Sequence, residues 1–385
     1  MMSRLERSWA RIAPANRIVS LGIFVCFFAS TLLAKSQHSL SLSEIRQRAV
    51  DARQSGDLQQ AAALYRKGVK LRPSWSEGWW NLGASLYELQ QFADAVDAFH
   101  FSTRLQPSNS VAWAFLGLCE YQLQRFRPAL QHFLRAERMG VTDNTELGSL
   151  VRYHAALLLN RNGNFEAALD QLFGVTNDGS PEMLEVMGVT ALRIAALPSE
   201  IPEKQDLMTK AGQTAWASYM GNLDDARKGF DELVSSYPDE PGVHHAFGVY
   251  LLESDPERAL QEFQRELTIS PLHVFARLQI VFLYLKQGTP EKGLNAAEQA
   301  VKLKPGLFLT HNVLGRVLLE MGQTNRALHE LETAVRLEPR SPENHRRLAE
   351  AYRSAGRSDA AARQMAEFQK LDREQKHGYS QPTPR

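Results

Sequence analysis

The chain has 385 residues, 23% of them charged, with a net charge of +1. That length suffices for two or three ordinary domains. The near-balance of charge excludes a disordered polyelectrolyte and gives no footprint for nucleic acid. Two cysteines, Cys26 and Cys119, lie too far apart in kind and place to suggest an intrachain disulfide.

The N-terminus differs in kind from everything after it. Arg4, Arg7, Arg11 and Arg17 form a basic leader (1–17) before residues 18–34, an uncharged stretch of 17 residues rich in Leu, Ile, Val and Phe. As a hydrophobic helix at about 1.5 Å per residue it spans roughly 25 Å, within the range tolerated by a bilayer core of about 30 Å. It reads as an uncleaved transmembrane anchor, with a cleaved signal as the alternative, since Ala34-Lys35-Ser36 is a passable cleavage site. Either reading keeps the arginines in the cytoplasm and exports the rest. Ile23-Phe24-Val25 before Cys26 is not a lipidation sequence, so no lipid anchor is expected. Without residues 1–34 the chain holds 40 basic and 42 acidic residues, interleaved rather than blocked.

After a polar linker (35–41), the chain repeats itself every 34 residues. Ala61, Ala95 and Ala129 keep that step, as do Tyr65, Phe99 and Phe133, then Pro271, Pro305 and Pro339, and Gly288, Gly322 and Gly356. Within 79–89 and 92–105 the apolar residues recur at three- and four-residue spacing, as two helices with one buried face each require. Gly83, Ala95 and Ser102 allow close approach of the two, and Trp79 and Phe99 are expected in the seam between them. Gly288, Gly322 and Gly356 fall between helices, where a left-handed residue closes the first one. Pro107, Pro305 and Pro339 end the second helix.

Units in this register occupy 42–180 and 207–371. Between them, 181–206 is an interrupted segment in which Pro198 and Pro202 break the phase. There the partner of the helix beginning at Pro181 stays open: it is either the helix after Glu203 or none. The polar tail, 372–385, is expected to fray.

Trp79, Leu82, Gly83, Ala95, Phe99 and Pro107 sit at the offsets that define the tetratricopeptide repeat, and this chain resembles that family. The resemblance implies an all-α, right-handed superhelical solenoid of about nine helix–turn–helix units, to which residues 18–34 add an N-terminal hydrophobic helix. It also implies a concave face lined by first helices, on which Trp80, Tyr87, Leu118, Tyr121, Phe275, Leu278, Phe282, Leu285 and Arg316 would meet a partner protein or peptide. The acid-gripping clamp of some family members maps to Arg46, Val50, Asn81, Val111 and Phe115, of which only Arg46 and Asn81 suit it.

No catalytic motif survives inspection: there is no phosphate loop, no Gly-x-Ser-x-Gly, and His329-Glu330 continues as Leu331-Glu332-Thr333. His244, His311 and His345 share the register of Trp79 and Trp113, so they read as packing residues rather than metal ligands. No enzyme activity, cofactor, metal or small-molecule substrate is expected. The expected function is a non-catalytic scaffold or adaptor of the bacterial membrane-anchored or secreted type, exposed in the periplasm. The alternative is a regulatory or assembly subunit of an envelope enzyme whose active site lies on another chain.

Overall fold

The computed structural model describes residues 40–141, 146–175 and 180–379, and the expected membrane segment at 18–34 lies outside them. Among the described residues there is no strand, and no helix is long and apolar enough to cross a membrane. The chain divides into two compact units: one takes in residues up to 186 with 195–202, the other 187–194 with 203 onward.

The first unit stacks four helix pairs: α1 Leu42–Gln54 with α2 Leu58–Leu71, α3 Ser76–Glu88 with α4 Phe92–Leu105, α5 Ser110–Gln122 with α6 Phe126–Arg138, and α7 Glu146–Arg161 with α8 Phe165–Phe173. The helix α9, Pro181–Ala191, follows. The second unit stacks five pairs: α10 Gln205–Tyr219 with α11 Leu223–Ser236, α12 Val243–Leu251 with α13 Pro256–Ile269, α14 Val274–Lys286 with α15 Pro290–Leu303, α16 Phe308–Glu320 with α17 Thr324–Leu337, and α18 Pro342–Ser354 with α19 Ser358–Tyr379. Between successive pairs the first helices also approach one another, as α3 does α5, α5 does α7, α14 does α16 and α16 does α18.

The seam within a pair is set by size complementarity. A Cβ added at Gly83 would lie 2.8 Å from the Phe99 ring, and one at Gly315 would lie 2.5 Å from Leu331. Phe99 and Leu331 are fully buried there, each contributing roughly 1.5–3 kcal/mol of apolar burial. The α14–α15 pair reverses the sizes, with Val281 on the first helix and Ala297 on the second, both fully buried. The same register settles the parity left open by the sequence. Thr214 stands where Gly83 stands and Phe230 where Phe99 does, so α10 is a first helix and α11 its partner.

Helix ends follow their local chemistry. Pro305 and Pro339 hold the preceding Lys304 and Glu338 at φ −138° and −135°, outside helical geometry. The first helices close with paired bonds, as where the Gln91 N–H donates to the Leu86 carbonyl and the Gln90 N–H to Tyr87. Gly288, Gly322 and Gly356 take left-handed φ of about 70° at that closure, as the sequence implied.

Two expectations change. Trp79 is only half-buried and does not fill the seam. Its ring stacks on Phe101 at 4.3 Å and 15°, and its Nε1–H donates to the Pro73 carbonyl at 2.8 Å. The tail does not fray at residue 372: α19 continues to Tyr379, and Glu374 pairs with Arg340 at 3.3 Å.

Gln90 and Gln124 adopt the same left-handed closure without being glycine, at φ 58° and 57°. A side chain there costs about 1 kcal/mol, so Gln90→Gly and Gln124→Gly are each expected to stabilise the protein by roughly 0.5–1 kcal/mol. Urea melts of the two variants check this, and a lower midpoint than the parent chain would refute it.

Candidate functional site

The position held by Trp79 is a hydrogen-bonding latch rather than a packing slot. In six units its side chain donates to the carbonyl of the proline six residues earlier. Trp79 donates to Pro73, Trp113 to Pro107 at 2.9 Å, His244 to Pro238 at 3.0 Å, Arg277 to Pro271, His311 to Pro305 at 2.9 Å and His345 to Pro339 at 2.9 Å. Those carbonyls end the second helices and have no intrahelical donor. Any residue with a suitably placed N–H serves, which is why indole, imidazole and guanidinium alternate in one register. The other imidazole nitrogen is engaged too: Nδ1 of His244 lies 2.6 Å from Glu262, that of His311 2.6 Å from Glu330, and that of His345 2.7 Å from Gln364. Desolvation works against the charge on His244, but Glu262 and the Pro238 carbonyl leave its pKa raised.

The inner surface of each stack is built from positions one, five and eight residues after that latch. In the first unit it is closed. Leu118 is 1% exposed and Tyr87 is buried. Phe115 packs edge-on against Trp80 at 5.5 Å and against Tyr87 at 5.2 Å, filling the space between the rungs. Tyr121 is half-buried, edge-on to His154 at 4.6 Å. Leu118 and Tyr87 are therefore core residues and not partner contacts.

In the second unit the row one place after the latch is also closed. Leu278 is 5% exposed and belongs to the core, contrary to its expected role. Asn312 is buried and donates to Asn344 at 2.9 Å. Phe275 is capped by the Arg193 guanidinium, 4.1 Å from its ring centre, so Arg193 covers this ring. Leu285 is half-buried against the cluster of Val281, Val313 and Val317.

The row five places after the latch is open. It runs Val249, Phe282, Arg316, Glu350 on α12, α14, α16 and α18. Val249 and Phe282 are 40% and 36% exposed. Arg316 is half-buried and makes no hydrogen bond or ion pair with any described residue, while burial and then the nearby Arg347 lower its pKa. Beside it, Glu343 and Glu350 are both held by Arg346 and Arg347 through contacts of 2.7–3.0 Å. Of the nine residues expected on the concave face, Phe282 and Arg316 stand in this open row.

These sequence matches accord with the geometry. The tetratricopeptide repeat family matches residues 46–99, 81–144 and 312–374, and a second tetratricopeptide repeat description matches 213–240. The chain is a tetratricopeptide-repeat protein. Its repeats are an interaction module, and the latch, seam and turn positions above are this protein's versions of the repeat. Among solved structures it is similar to MamA (41 to the end) from Desulfovibrio magneticus RS-1, with 20% identity over 43% of this chain and 94% of that one, at a TM-score of 0.40. A crystal structure of MamA matches at 14% identity over 43% of this chain and 96% of that one, at 0.39. Likeness at that level transfers neither partner nor activity. No curated protein matches the sequence.

A buried polar cluster in this repeat protein escaped the sequence reading. Glu266 on α13 is fully buried and caps the start of α12, accepting from the Gly242 N–H at 3.0 Å and the His245 N–H at 3.2 Å. Gly242 is obligatory there: its φ is +91°, and a Cβ would fall 2.2 Å from the Leu192 carbonyl. His245 is 1% exposed, and neither ring nitrogen has a hydrogen-bond partner among the described residues. It lies against His273, centroids 4.6 Å apart. Burial first, then His273 and Arg193, push the His245 pKa well below its ordinary 6.5. Burial, then Arg193, takes His273 down to about 4. Burial raises the Glu266 pKa against its two N–H donors, an effect of opposite sign but from a single group.

Native imidazoles that refuse protons accepted by the unfolded chain lose stability as pH falls. Resistance to urea is therefore expected to drop between pH 6.5 and about 4, the window set by the ordinary and shifted histidine values. His245→Leu should flatten that slope. A variant whose slope matches the parent's would remove His245 as its cause.

Proposed function

We propose that this protein is a non-catalytic adaptor that holds a segment of a partner protein on the first helices of its second unit, with the repeats displayed outside the cytoplasmic membrane. The observation that carries the binding reading is the contrast between equivalent positions. Leu118 is sealed by neighbours in the first unit, while Val249 and Phe282 in the second are left at 40% and 36% exposure, one rung apart. Neighbouring large apolar side chains presented to solvent on one face of a monomer mark interaction surfaces, and a helical groove of this kind takes an extended or helical segment.

Phe282→Glu tests it in the full-length chain. Placed on an open surface, the substitution is expected to change stability by no more than about 0.5 kcal/mol while a stoichiometric partner retained in mild detergent is lost. Leu118→Glu is the contrast: it buries an unpaired carboxylate and should destabilise the first unit by several kcal/mol. Retention of the partner by Phe282→Glu would sink the reading.

The location rests on residues 1–34, where four arginines precede 17 uncharged residues. A reporter active only outside the cytoplasm is expected to work when fused after Arg385, and one that needs the cytoplasm to fail. The reverse pair of results would invert the orientation.

A further inference from the structure

We infer that the open row reads a specific partner chemistry: a segment bearing two apolar side chains followed by one acidic side chain, Asp or Glu, whose carboxylate is held by Arg316. The inference rests on the groove reading above and specifies what occupies it.

The row changes character along its length. Val249 and Phe282 offer exposed apolar area on consecutive first helices, Arg316 offers a cation on the next, and Glu350 closes the row within a saturated ion-pair network. Arg316 has carboxylates nearby, yet none is available to it. Glu343 Oε1 lies 2.7 Å from both Arg346 Nη2 and Arg347 Nε, and the two Glu350 oxygens contact Arg346 Nη1 at 2.9 Å and Arg347 Nη1 at 3.0 Å. Three guanidiniums thus face two carboxylates, and the uncompensated charge sits on the half-buried member that has no bond of its own. A guanidinium partly removed from water is satisfied by a carboxylate, through paired N–H···O contacts with planar geometry. One further negative charge neutralises the group, so a single acidic residue fits better than an acidic run. A nucleic-acid phosphate chain does not fit, because Glu343 and Glu350 flank one side of Arg316 and two apolar residues the other.

The spacing follows from the stack. Equivalent positions on packed helices lie roughly 8–10 Å apart, and extended chain advances about 3.3 Å per residue. An extended segment therefore meets successive rungs about every three residues, placing one apolar residue at Val249, a second at Phe282 and the acid at Arg316.

The test selects displayed random 12-residue peptides on the full-length chain in detergent and measures the selected peptides against variants. Wild-type selections are expected to carry two apolar residues and one Asp or Glu at steps of about three. Arg316→Gln should bind such a peptide at least tenfold more weakly with an unchanged melting curve, Arg316→Met giving the same result if the first variant is poorly folded. A peptide with Lys in place of the acid should bind Arg316→Glu more tightly than it binds the parent chain. Equal binding by Arg316→Gln, with binding abolished by Phe282→Glu, would overturn the carboxylate and leave the groove standing. Failure to select any peptide displaced by Phe282→Glu would overturn both. A dimer in sedimentation that Phe282→Glu dissociates would make a second copy of the chain the occupant and overturn the inference.

Discussion

The close approach of two helices within each repeat is the constraint from which the rest follows. One helix presents a residue with almost no side chain and the other fills the gap, as Gly83 does with Phe99 and Gly315 with Leu331. Contact at that distance fixes the angle at which the pair leaves its other faces, so the first helix must bury a second face against the preceding unit and expose a third. What is held is close contact at this point, not the identity of either residue. Val281 opposite Ala297 satisfies the seam with the sizes reversed, and both stay fully buried. Stability is then carried from neighbour to neighbour rather than by one central core.

The junction between units has its own rule. In six repeats the second helix stops at a proline whose carbonyl is left without an intrahelical donor, and the next first helix supplies one from a fixed position. Trp113, His244 and His345 all reach that carbonyl at 2.9–3.0 Å. A donor is required and a shape is not, which explains how residues of such different size keep one register. The three histidines thus have a structural task that occupies both ring nitrogens, through Glu262, Glu330 and Gln364 on the other side.

Most of the architecture was legible in the sequence because it depends on short-range chemistry. Periodicity gave the helices, Gly288 and Gly322 the closures, and Pro305 and Pro339 the stops. Trp79 stacks on Phe101 rather than filling the seam, since periodicity locates a residue on a helix face without saying which neighbour that face meets. Gln90 and Gln124 take a glycine's conformation that their residue type gives no hint of. The Glu266 cap on α12 was invisible for a similar reason. A carboxylate 21 residues after His245 has no local signal that it folds back onto a helix start.

The candidate site was legible as a set of positions but not as a surface. Leu118 and Phe282 occupy the same place in their repeats and both are large and apolar, yet one is 1% exposed and the other 36%. The difference lies in the residues around them. In the first unit Phe115 stands edge-on between Trp80 and Tyr87 and fills the inner space with rings. In the second unit Phe275 is drawn under Arg193, and the next rungs carry Asn312, paired with Asn344, and Arg316. Among the described residues no aromatic ring contacts Phe282, which stays 36% exposed. Side chains that satisfy one another in pairs leave the row between them open, and the same repeat that closes over itself at one end of the chain presents a readable edge at the other.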